Sequence, residues 1–111
     1  MPDPNQIVIP RSFIDLFVPS GSHKPTASRE HIAQRYDLCE DMAQMLTEPA
    51  RVRLFELGIT EADVLERVYA GLQAGTVVDE PEARWVMRRL AELLDWEPLV
   101  LPTQVRQRDE E

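Results

Sequence analysis

SREHIAQRYDLCEDMAQMLTEPARVRLFELGITEADVLERVYAGL, residues 28–72, decides the fold. Ser28 is a good helix N-cap, because its hydroxyl can accept a bond from an unpaired N–H of the first turn. After it, Ile32, Tyr36, Cys39, Ala43 and Leu46 step by four, three, four and three, which draws one apolar stripe down a helix. Leu38, Met42 and Met45 form a second stripe beside the first, so this face reads as wide enough to be covered on two sides. Pro49 is poor inside a helix but fits the first turn of a new one. Thr47 therefore reads as the cap of a separate, shorter helix over 48–57, with Val52, Leu54 and Phe55 available to the core.

Gly58 suits a helix C-cap, and Thr60 with Asp63 makes a near capping box for a third helix. Val64, Leu65, Val68, Tyr69 and Leu72 give that helix one apolar face, with Gly71 and Gly75 marking its end. A last helix opens on Asp79, with Pro81 in its first turn and Glu82 at the box position. It buries Val86, Met87, Leu90, Ala91, Leu93 and Leu94, while Glu82 and the arginines of 84–89 supply its solvated side.

Working outward, residues 12–18 hold one or two helical turns and residues 19–27 (PSGSHKPTA) read as a loop. IVIP at 7–10 and LVLP at 99–102 are short apolar runs of similar form. Such runs pair as two short strands, lie over the bundle, or exchange between subunits; length alone does not choose. Residues 1–6 and 103–111 are polar and charged and read as loose ends. The expected fold is all-α: one domain over 1–111, a bundle of about four helices with a helix-turn-helix-like turn at 57–60 and extended terminal arms.

The charge of −8 is uneven, with four Lys/Arg against three Asp/Glu in residues 1–35 and eight against seventeen in 36–111. That field repels phosphates and anionic lipid, so nucleic acid and membrane are disfavoured; it keeps the chain soluble, which is the plainer reading of it, and otherwise suits a basic partner. A single cysteine excludes an intramolecular disulfide. With no signal-peptide pattern and no long apolar run, the expected location is cytoplasmic.

Catalytic patterns are weak. In GSHKPT, 21–26, one glycine stands where a phosphate loop needs two, and Pro25 follows Lys24 and removes an N–H. Two histidines and one cysteine fall short of a zinc set, and no HExxH or CxxC is present. Cys39 and His31 are eight residues apart on one helix, about 12 Å along its axis, too far to work as a nucleophile and its base. The carboxylates fall at helix starts and on polar faces, where dipole and solvent account for them. No catalytic residue, metal site or cofactor is expected.

Two features point to binding. Leu57-Gly58-Ile59-Thr60 resembles the turn of a helix-turn-helix, but Glu61, Asp63 and Glu66 against Arg67 give the following helix the wrong sign for DNA. Arg84, Trp85, Arg88 and Arg89 gather two residue types favoured in protein interfaces. The competing reading tucks Trp85 against the bundle and pairs the arginines with Glu92 and its neighbours.

Taken together, residues 7–21, 25–48, 56–72 and 85–96 resemble a family of small proteobacterial proteins of about this length, some labelled "ATPase with chaperone activity". The resemblance implies nucleotide hydrolysis and assistance to folding, and it carries no site residue. The function expected from the residues themselves is a non-catalytic adaptor or accessory module whose partner is another protein, a second copy of the chain included. A helix-turn-helix transcription-related protein and a small enzyme with its site at a dimer interface are the alternatives.

Overall fold

The computed structural model describes residues 8–101. Four α-helices form: α1, Arg11–Ile14, continued by a 3-10 turn over Asp15–Phe17; α2, Arg29–Leu57; α3, Glu61–Ala74; and α4, Glu80–Leu94. The helix signals read from the sequence act as caps. Ser28 Oγ accepts from the His31 N–H at 3.1 Å. Thr60 with Asp63, and Asp79 with Glu82, each close both arms of a capping box. Gly58 ends α2 with φ +63°, where a side chain would strain the backbone. Asp95 ends α4 in the same left-handed region, at φ 61°, without being glycine.

The helix expected to end near Leu46 does not end there. Residues 28–46 and 48–57 belong to one helix of 29 residues with Pro49 inside it. Thr47 caps nothing: its hydroxyl donates back to the Gln44 carbonyl at 2.8 Å, as a mid-helix threonine does. Burial explains the continuity. Ala50, 1% exposed, carries the buried face of α2 one turn past Leu46 and onto Val64, Leu65, Met87, Leu90 and Leu94. A break at Pro49 would lift Ala50 and Leu54 off that surface. The proline's cost is a missing N–H to the Met45 carbonyl. Pro49→Ala is therefore expected to raise stability by about 2 kcal/mol in urea unfolding, with an unchanged helical circular dichroism spectrum.

One continuous helix has one phase, which corrects two expectations on α2, and packing against α2 corrects a third on α4. Val52 and Phe55 do not reach the core; they are 39% and 89% exposed. Met45, expected in a second buried stripe, is 74% exposed. Glu82, placed on the solvated side of α4, is 4% exposed.

Two apolar clusters hold the helices. Phe13, Ile32, Ala33, Cys39, Ala43, Ala83, Trp85 and Val86 join α1 to the first halves of α2 and α4. The second cluster joins the later halves of α2 and α4 to α3. Arg35–Glu82 and Glu40–Arg89 are cross-links in the same order on both helices, so α2 and α4 run in the same direction. α3 returns between them in sequence. The molecule measures 48 × 45 × 24 Å, so its thickness is about two helix diameters.

No strand forms among the described residues. Ile9 is buried in the first cluster and Leu99 packs on the second, so each apolar arm covers its own core instead of pairing. Ile7, the ends at 1–6 and 103–111, and Pro102 lie outside the described residues.

Candidate functional site

The first helical turns are anchored by aromatic packing. Phe13, fully buried, lies 5.2 Å from the ring of Trp85 and 5.6 Å from those of Tyr36 and Phe17. Trp85 is 9% exposed, and its indole N–H donates to Ser12 Oγ at 3.0 Å. This bridge ties the N-terminal arm to the outer side of α4. The hydroxyl of Ser12 accepts that bond and keeps its own proton for another acceptor.

The outer stripe of α4 is Pro81, Arg84, Trp85, Arg88 and Glu92, stepping by three, one, three and four. The N-terminal arm runs along one side of it and residues 98–101 along the other. Between these walls lie three shallow clefts. One of about 290 Å³ is lined by Pro10, Ser12, Tyr36, Glu40, Trp85, Arg88, Arg89 and Glu92. A second of about 220 Å³ lies across the Ser12–Trp85 bridge, against Leu16, Pro81 and Arg84. The third, about 190 Å³, lies against Met87, Pro98, Leu99 and Leu101. Arg88 lines all three.

The four residues singled out in the sequence now separate. Trp85 is taken up by the bundle, mostly as its own packing. Arg84 is paired with Glu80 at 2.9 Å, and Glu80 also accepts from the Tyr69 hydroxyl. Arg89 holds Glu40 through two bonds of 2.9 and 3.0 Å and reaches Glu92 at 3.1 Å. Arg88 is exposed and makes no ion pair among the described residues. The arginine cluster is thus two neutralised cations flanking one open one. Ser12, Tyr36 and Glu40 complete the groove. Their part in it was not legible in the sequence, because α4 meets them only in the folded chain.

The pairing fixes charge states. The Arg89 guanidinium bonded to Glu40 holds that carboxyl below its ordinary range, with Gln44 assisting, while burial works the other way. Arg89 is itself raised, mainly by Glu40. At neutral pH Glu40 is therefore an ionised carboxylate and Arg89 keeps its proton.

Elsewhere the suspected chemistry is dispersed. Cys39 is fully buried, and burial pushes its thiol up to about 12, which leaves it protonated. His31 stands edge-on to Phe17 at 5.9 Å, on the exposed side of α2. In the 21–26 loop, Ser22 and Lys24 bond each other's backbone and hydroxyl, and Thr26 donates twice to the Phe17 carbonyl. Among the described residues no helix is long and apolar enough to cross a membrane. No family model, curated protein or solved structure matches the chain.

Proposed function

We propose that the chain is a cytosolic, non-catalytic protein-interaction module, an adaptor or accessory subunit, that receives a segment of another protein in the groove over α4. Arg88 carries this reading. It is the cation of the cluster left without an ion pair among the described residues, and it stands where three clefts meet. A guanidinium offers several fixed donors to carboxylates and carbonyls, and the Ser12 hydroxyl offers one more. Pro10, Tyr36, Trp85, Leu16 and Pro81 give the apolar shelf beside them. The locked Arg–Glu pairs shape the walls without supplying a reactive group.

Capture from an extract of the source organism tests this. The wild-type chain is expected to retain one protein in stoichiometric amount, and Arg88→Glu to retain about tenfold less, the loss usual for a central charged contact. Equal capture by both forms removes the groove from the argument. Sequence-dependent DNA binding at low salt, or ATP turnover lost on Lys24→Ala, replaces the adaptor reading altogether.

A further inference from the structure

A second surface lies along the outer side of α2. Glu30, Gln34, Asp37, Asp41, Met45, Glu48, Val52 and Phe55 step by four, three, four, four, three, four and three. At 100° per residue they form one straight stripe, about 37 Å long. Every residue in it is exposed. The stripe changes character along its length. Its first half is acidic, and its second half alternates Met45, Val52 and Phe55 with Glu48 and the adjacent Glu56.

Several acids elsewhere in the chain are paired. Glu40, Glu80, Glu82 and Glu92 are each held by an arginine. Glu30, Asp37, Asp41 and Glu48 make no ion pair among the described residues. Of the helix's four arginines, Arg35 and Arg53 lie well away from the stripe, Arg29 lies about 100° round from Glu30, and Arg51 lies nearer its edge. A phenylalanine 89% exposed and a methionine 74% exposed on the same unpaired acidic row mark a surface that contact would cover.

We propose that this face of α2 docks a basic amphipathic helix of another protein. Apolar side chains of that helix would cover Met45, Val52 and Phe55. Its lysines or arginines would run along Glu48, Asp41 and Asp37. The same signs weigh against other occupants. Nucleic acid and anionic lipid are repelled. In a second copy laid antiparallel, Met45 meets Phe55, but Glu48 faces Val52 and the acidic halves overhang chains that each carry −8. The stripe shares no residue with the α4 groove, so the two surfaces stand or fall separately.

The test uses the full chain and a synthetic helical peptide of about five turns with leucines on one face and lysines beside them. A twin peptide carries glutamate in place of lysine. In calorimetric titration the lysine peptide is expected to bind and the glutamate peptide not to. Phe55→Ser is expected to weaken binding about tenfold, and Asp37→Lys with Asp41→Lys to weaken it similarly and to flatten its salt dependence. Arg88→Glu, which alters the other surface, should leave it unchanged. All the substituted residues are exposed, and circular dichroism checks that each variant folds. Binding that is absent, equal for both peptides, or untouched by Phe55→Ser and the lysine pair overturns the proposal. So does a dimer in sedimentation that Phe55→Ser dissolves, which would assign the stripe to a second copy.

Discussion

Phe13→Ala is expected to cost about 3–5 kcal/mol of stability, the largest loss of any single truncation in this chain. The side chain is wholly enclosed, and its ring meets three other aromatic rings. Part of the cost is the cavity left behind, and part is the edge-to-face contacts with Tyr36 and Trp85. A further part is local. α1 has four residues, too few to hold a helix alone, so its order depends on packing in which Phe13 is the wholly buried part. Once it is gone, the Ser12–Trp85 bridge loses its support and Trp85 meets water. Urea unfolding should show the lost stability, and the native tryptophan emission should move to longer wavelength. Phe55→Ala, of the same chemistry but 89% exposed, should stay within about 0.5 kcal/mol of wild type. Equal effects at the two positions would mean that the first cluster is not organised around Phe13.

The contrast between these two phenylalanines also shows what the sequence could tell. Caps were legible at Ser28, Thr60 and Asp79, because a cap is a local bond between a side chain and an N–H two or three residues on. The apolar faces of α3 and α4 were legible because their periodicity is uninterrupted, but the burial of Glu82 on α4 was not, since its partner Arg35 lies on α2. At Pro49 local chemistry pointed the wrong way. Proline argues for a break, and it takes the contact of Ala50 with α3 and α4 to override it. Once a break is assumed, the second segment has no phase relation to the first, and Phe55 is drawn inward by its apolarity alone. Kept in phase with Ala43 and Ala50, it falls on the opposite side. The α4 cluster was legible as residue types and not as roles. Which arginine stays open depends on Glu40 and Glu80, and Glu40 lies 49 residues away from Arg89.

Arg35→Ala is expected to cost about 2–4 kcal/mol at pH 7, somewhat less than opening a wholly buried ion pair, because water reaches the arginine. Its guanidinium grips Glu82 with two bonds of 2.7 Å and donates to the Val77 carbonyl at 2.8 Å. Glu82 is 4% exposed and also accepts the Asp79 N–H that opens α4. Removing Arg35 leaves a carboxylate enclosed without its ion-pair partner. Burial works to raise the Glu82 carboxyl, but Arg35 and the Asp79 N–H outweigh it and hold it below its usual value of 4.5. A carboxyl lowered on folding adds stability above its unfolded pKa and gives it up as pH falls through the folded one. Glu40 and Glu80 are lowered as well, the first chiefly by Arg89 and the second chiefly by the Tyr69 hydroxyl. Wild-type stability should therefore hold down to about pH 5 and then decline with further acid. In Arg35→Ala burial governs Glu82, its carboxyl moves up, and protonation relieves the trapped charge. The gap between the two proteins should narrow as pH falls from 7 to 4. A gap that stays constant across that range in urea midpoints would show that Arg35 acts through packing of its stem on the first cluster and not through its charge.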